Sequence, residues 1–311
     1  MEKLHGKPWP ALFGRAFACL ALIFCILCWN AQADEPAKFH LRIGFSSRAF
    51  VNVPSEDIRV AIRMLSQKVA RKTVGSAESR IYDSTQEIER DLKARQVDLL
   101  VLMPEEFIFL RNRVPLEPMA VTSTDSGNTV EILLLVRKES KFTGIGELRD
   151  RAIVMPPKIS QYGNLYYIWV ETLLLREGIP EMARFFSSVR EARTSSQGLL
   201  PVFFRKADAC VVTSNTYDLA CELNPQIGRE LKVIARIKGL AGGVIAIRRD
   251  LPEERKQRVR RALLTLHEDQ EGKQMFVLFK LSRLVPFPPE YLKATEALLE
   301  EHYLKASQVR S

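Results

Sequence analysis

Five short polar stretches in this chain each follow an apolar run and carry groups suited to holding a small charged molecule. They are Ser46-Ser47-Arg48, Met103-Pro104, Thr122-Ser123-Thr124, Lys158 to Tyr162, and Thr213-Ser214-Asn215. Hydroxyls and backbone N–H groups donate to the oxygens of an anion, and an arginine just after a strand can grip a carboxylate or phosphate with two bonds. The stretch Lys158 to Tyr162 is the strongest of the five. It precedes a helical pattern, whose first N–H groups and dipole favour negative charge. Lys158 supplies charge there and Ser160 a hydroxyl, with Gln161 and Tyr162 beside them. Each has a plainer reading: Ser160, Thr213 and Ser214 also suit helix N-caps, and Lys158 and Arg48 also suit a solvated surface. The ligand-binding candidates are therefore Ser46, Arg48, Met103, Thr122, Lys158, Ser160, Gln161, Tyr162, Thr213 and Ser214.

Catalytic chemistry finds no comparable set. The four histidines are scattered at His5, His40, His267 and His302. There is no nucleophile elbow, phosphate-binding Walker loop or His-Glu-x-x-His helix, and no Cys/His spacing for zinc. Glu105-Glu106 follows Pro104 at a helix start, where acids have an ordinary electrostatic reason to sit. Adjacent helical residues point in different directions, so the two are not read as an acid/base pair. No enzyme, metal or cofactor is expected.

The elements that must position these stretches alternate in type. Leu41 to Phe45, Ser79 to Tyr82 and Val97 to Met103 read as strands, separated by helices over Glu56 to Lys72 and Thr85 to Ala94. That βαβαβ order implies a mostly parallel sheet with helices on both faces. Strands at Leu116 to Thr122 and Glu131 to Arg137 flank a turn-rich stretch. A second α/β unit follows: strands at Ala152 to Met155, Phe185 to Val189, Ala207 to Val212 and Leu231 to Ile237, and helices at Gln161 to Glu177, Ser195 to Arg205 and Ser214 to Leu223. After the break Gly239 to Gly243, Val244 to Ile247 is read as a strand rejoining the first unit, and the tail is helical. The expectation is an α/β chain of two lobes, each a mostly parallel sheet flanked by helices. Lobe 1 comprises residues 34–123 and 239–311, and lobe 2 residues 124–238. In open α/β sheets ligands bind beyond the carboxyl ends of the strands, so the five polar stretches face one cleft.

Residues 1–33 have the layout of a secretory signal: Lys3, Lys7 and Arg15, then an uncharged run from Ala16 to Trp29, then Ala31-Gln32-Ala33. The run is shorter than the ~20 residues of a membrane-spanning helix. Cleavage after Ala33 places the mature chain in the periplasm. It removes three basic and one acidic residue, taking the net charge from +9 to +7. That mild excess favours an anionic ligand, and no basic run with interleaved aromatics points to nucleic acid. Cys210 and Cys221 remain, either paired or as two free thiols.

Three stretches resemble the phosphate/phosphite/phosphonate substrate-binding components of ABC importers, within the type II periplasmic binding proteins. Gln96 to Phe107 is similar to that family's Val-Asp strand, Gly-Pro turn and following aromatic; Glu147 to Val154 to its entry into the second lobe; and Lys206 to Val212 to its Ala-Asp-Ala strand start. The resemblance implies a monomer that captures a small phosphonate- or phosphate-like anion by lobe closure and presents it to a membrane permease. The departures are Met103 for the turn glycine, Phe107 without the aromatic hydroxyl, and Lys158-Ile159-Ser160-Gln161 where relatives often carry Ser-Thr-Ser. They motivate an alternative: a sensory or interaction subunit of the same fold, signalling to a membrane-bound kinase or cyclase.

Overall fold

The computed structural model describes residues 39–49, 55–73, 75–158, 163–194 and 197–310. The signal-like segment 1–33 and the candidates Ser160, Gln161 and Tyr162 lie outside them.

The elements run β1 (Phe39–Ser46), α1 (Ser55–Thr73), β2 (Gly75–Tyr82), α2 (Thr85–Lys93), β3 (Leu99–Leu102), α3 (Pro104–Arg111), β4 (Leu116–Ser123) and β5 (Thr129–Arg137). Then come β6 (Ala152–Met155), α4 (Gly163–Arg176), α5 (Met182–Phe185), β7 (Ser188–Glu191), α6 (Leu200–Phe203), β8 (Ala209–Thr213), α7 (Ser214–Leu223), α8 (Pro225–Glu230) and β9 (Leu231–Ala241). The chain ends with β10 (Val244–Arg248), α9 (Glu253–Leu264), α10 (Gln270–Leu278), β11 (Arg283–Pro286) and α11 (Lys293–Arg310).

These strands form two sheets. The first has the order β11-β4-β10-β3-β1-β2 and the second β7-β6-β8-β5-β9. Both are mixed. Parallel pairing joins β1 to β3 and β6 to β7 and β8, as βα crossovers require. β10 runs antiparallel to β3 and β4, and β5 antiparallel to β8 and β9. Mostly parallel pairing thus holds only within the β-α-β units. Where the chain crosses from one sheet to the other, β4 and β9 leave in the direction of the parallel strands, and β5 and β10 enter in the opposite direction.

Local sequence accounts for most elements. Ser84 caps α2 by accepting from the Glu87 N–H, and Ile88 and Leu92 turn inward. β5 is buried on both faces: Ile132, Leu134 and Val136 enter a core with Trp169 and Tyr166 of α4, while Leu133 and Leu135 meet Val202 and Val212 on the other side. An apolar run of that kind is what a central strand needs. The helix expected over Ser195 to Arg205 is only α6. Pro201 occupies its first turn, where a missing N–H costs nothing. Phe185, expected to open a strand, instead ends the short helix α5, and β7 begins at Ser188.

Gly44, in the middle of β1, is fixed by close approach. A Cβ there would lie 2.6 Å from Leu100 Cδ2 and 2.7 Å from Tyr82 Cε2. Gly44→Ala is expected to cost about 1–3 kcal/mol, the range for overpacking a filled core. Urea unfolding of the variant beside wild type checks this.

The last helix ties both sheets. Arg176 of α4 donates to both carboxylate oxygens of Glu301 at 2.6 and 2.7 Å. At the other end of α11, Thr295 accepts from the Ala241 N–H at 2.9 Å, and Arg111 of α3 pairs with Glu296. Just before α11, the Tyr291 hydroxyl accepts from the Gly242 N–H at 2.8 Å and donates to the Asn128 carbonyl at 3.0 Å, pinning the two crossing strands together.

Candidate functional site

A cavity of about 330 Å³ opens where the two sheets meet. Its rim is built from both. Thr122 and Thr124 come from the end of β4 and the turn after it, and Thr129 from the start of β5. Thr213, Asn215 and Thr216 come from the end of β8 and the first turn of α7. Of the candidates named from sequence, Thr122 and Thr213 line this cavity, and Met103, just beyond β3, joins them.

The rim hydroxyls are held in place. Thr213 caps α7: its Oγ1 accepts from the Thr216 N–H at 3.2 Å and lies 2.8 Å from Thr216 Oγ1. Thr122 Oγ1 accepts from the Gly243 N–H at 2.9 Å. A Cβ on Gly243 would come within 2.9 Å of the Thr122 side chain, so glycine is needed for this approach. Each hydroxyl oxygen keeps acceptor or donor capacity beyond these bonds.

Other candidates stand apart from the cavity wall. Ser46 is buried, and its hydroxyl donates to Glu106 Oε1 at 2.9 Å. Arg48 is exposed on the turn after β1. Lys158 is exposed and sits over the Tyr167 ring, 5.1 Å from its centroid, instead of lining the cavity. An ammonium so placed gains cation–π energy without ligand contact. Ser214 is half-buried at the start of α7, and its neighbours Asn215 and Thr216 reach the rim instead.

Glu105 and Glu106 do more than balance a helix dipole. Glu106 accepts from the Met103 N–H at 3.0 Å as well as from Ser46. Glu105 Oε1 accepts from Asn164 Nδ2 of α4 at 3.3 Å, a bond between elements of the two sheets, while its Oε2 is buried without a hydrogen-bond partner. Burial, chiefly, pushes the Glu105 carboxyl up to about 7, and the neighbouring Glu106 adds to this. Burial also raises Glu106, against the stabilising bonds from Met103 and Ser46. The charge of Arg48 opposes both shifts.

Behind the rim the wall changes character. Ile43, Phe45, Leu99, Val101 and Ile245 line it from one face of the first sheet. Leu65 and Val69 of α1, Leu263 of α9 and Phe276 of α10 face them. α1 and α10 are clamped by buried Lys68, which donates to Asp269 at 2.6 Å and to Glu271 at 2.9 Å. From sequence these apolar positions read as core, because a residue lining a cavity and one packed in a core share the same periodicity. Thr129, Tyr166 and Lys280 also line the cavity without having been anticipated. Thr216 carried a signal, a second hydroxyl three residues after the Thr213 cap.

Cys210 and Cys221 are both free thiols. Among the described residues no cluster of three or more His, Cys, Asp or Glu side chains suits a metal ion, and no helix is long and apolar enough to cross a membrane.

Solved structures share this architecture over nearly their whole length. XAC2383 from Xanthomonas citri, bound to ATP, superposes with a TM-score of 0.58 at 17% identity, covering 87% of this chain and 98% of that one. A binding protein component of an ABC phosphonate transporter from Pseudomonas aeruginosa gives 0.54 at 14% identity, covering 88% and 95%. PhnD1 from Prochlorococcus marinus, in complex with methylphosphonate, gives 0.55 at 13% identity, covering 86% and 98%. No curated protein sequence matches the chain. The two mixed sheets, each flanked by helices, form a type II periplasmic binding protein fold. A family model described as ABC transporter, phosphonate, periplasmic substrate-binding protein matches residues 51–291, and the chain belongs to that family.

Proposed function

We propose that this chain captures a small phosphorus oxyanion, a phosphonate or a phosphate-like group, at the rim between the two sheets and delivers it to the membrane permease of an ABC importer. Membership of the family supports the general role, a periplasmic binding protein serving ABC transport and not an enzyme. The observation that carries the ligand class is the rim itself. Thr122, Thr124, Thr129, Thr213, Asn215 and Thr216 converge there from both sheets, and the first turn of α7 opens onto it. Hydroxyl and amide groups that share one cavity lining beside a helix start suit the oxygens of an anion. Donors drawn from two sheets make closure of one sheet unit toward the other the natural consequence of binding. Charge comes from Lys280 on the wall.

The test is a thermal-shift screen of residues 34–311 against phosphate, phosphite, alkylphosphonates, sulfate, sulfonates and carboxylates. A ligand at ~100 times its dissociation constant adds about 2.7 kcal/mol to stability. The expected result is a shift with phosphorus oxyanions that Thr213→Val diminishes. A shift confined to carboxylates, or none at all, overturns the ligand class. The absence of any shift points instead to a sensory or interaction role, with a membrane-bound kinase or cyclase as partner.

A further inference from the structure

The cavity is much larger and more apolar than a bare oxyanion needs. A phosphate-sized head engages the rim donors and Lys280, and gains nothing from the apolar side chains beyond them. Past the rim the cavity passes between the first sheet and its helices, and the surfaces there are Phe45, Val101, Val69, Leu263, Phe276 and Leu284. Protein interiors are normally packed with few voids larger than a water molecule, and the opposite face of the same sheet is filled in this way by Ile88, Leu92, Leu100 and Phe107. The side chains on the cavity side are buried almost as fully, Phe45 and Val69 at 1% and Phe276 at 4% exposed, but the cavity they line makes this face a narrow container. The Lys68 clamp holds the helical side of that container at a fixed distance from the sheet.

From this geometry, and resting on the proposed oxyanion rim, we infer that the physiological ligand is an amphiphile. Its oxyanion head sits at the rim threonines, and an unbranched hydrocarbon tail lies between the first sheet and helices α1, α9 and α10. Each methylene that enters such a wall leaves water for an apolar surface, which raises affinity about fourfold per group.

Titration calorimetry with methyl-, butyl-, hexyl- and octylphosphonate tests this on the wild-type protein, with hexanol as a tail lacking the anionic head. The expected result is detectable methylphosphonate binding and affinity that climbs by roughly fourfold per methylene, at least to hexyl. Val69→Phe and Leu263→Phe, which narrow the container from two different helices, are expected to flatten the climb. Equal affinity for methyl- and hexylphosphonate overturns the tail while leaving the oxyanion reading intact. Hexanol binding as tightly as hexylphosphonate overturns the amphiphile, because the head would then contribute nothing. Failure of every phosphonate to bind overturns the oxyanion reading itself. The chain-length series on wild type decides the matter even if a narrowed variant does not fold.

Discussion

Asp98→Ala is expected to lower the unfolding free energy by about 3 kcal/mol. Asp98 sits at the start of β3 with its side chain 2% exposed. Its Oδ2 accepts from the Arg42 backbone N–H at 3.1 Å and from Arg42 Nε at 2.9 Å, and its Oδ1 accepts from Arg42 Nη2 at 2.8 Å. Oδ1 also lies 3.4 Å from Nη2 of Arg248, whose side chain is 9% exposed at the end of β10. One carboxylate therefore neutralises two guanidinium groups and joins β1, β3 and β10. The alanine variant leaves Arg248 with only Asp250, and a buried charge deprived of its partner is costly. Arg42 is 31% exposed and regains water, which holds the loss near the lower end of the range for broken buried pairs. Denaturant melts of Asp98→Ala, Arg248→Met and the double variant measure this. If Arg248 is the stranded charge, the double variant recovers stability relative to Asp98→Ala alone. An additive pair of losses would place the cost on Arg42 instead.

The second large effect depends on pH. The Glu105 carboxyl is raised from its ordinary 4.5 to about 7 by burial. The folded protein thus binds a proton that the unfolded chain has released, and stability falls as pH rises between about 4.5 and 7. A shift of that size corresponds to about 3 kcal/mol, fully lost above pH 7. Glu106, raised by the same cause, adds a slope of the same sign. Glu105→Gln keeps an acceptor for Asn164 and cannot ionise. It is expected to be more stable than wild type at pH 8, by less than the full 3 kcal/mol because its amide N–H groups take the buried, unpartnered position. At pH 4.5 the two proteins should match closely. Chemical unfolding at five pH values checks this, and parallel curves for the two proteins would exclude Glu105 as the source. Anion binding at the rim should weaken over the same interval in wild type, since ionised Glu105 adds negative charge near the rim.

Legibility in the sequence followed burial. The strands β3, β5, β8 and β10 are buried along most of their length, and their apolar runs mark them without ambiguity. The edge strand β2 was read only over its last four residues, because Gly75 to Glu78 is too polar and exposed to stand out. β11, at the other edge, is four residues long and ends in proline, and it left no recognisable signal. Strand direction was harder still, since it is set by connections that cross between sheets and not by any local pattern.

The site divided in a similar way. The rule that ligands bind at strand ends named Met103, Thr122 and Thr213, and these three line the cavity. Lys158 lies over Tyr167, a contact that sequence does not show, since it reveals only that a lysine precedes a helix. The paired glutamates were read as ordinary helix-start acids. They do occupy a helix start, but Glu105 is also buried, and Asn164, whose hydrogen bond opposes the resulting shift, lies 59 residues away on an element of the other sheet.

The position of β10 dictates an order of assembly. It lies between β3 and β4 in the first sheet, yet it follows the whole of the second sheet in the chain. A chain that emerges N-terminus first can complete the second sheet from the continuous segment Thr129 to Ala241, once β9 has arrived to pair with β5. The first sheet can only hold a gap between β3 and β4 until Val244 to Arg248 arrives. The part of the molecule made first is thus the last to close, its pairing spans more than 100 residues, and such non-local contacts form slowly. A chain bound for export gains from this delay: until its final quarter has been delivered it keeps an unpaired middle in its first sheet, and it cannot lock into the native state before translocation is nearly complete.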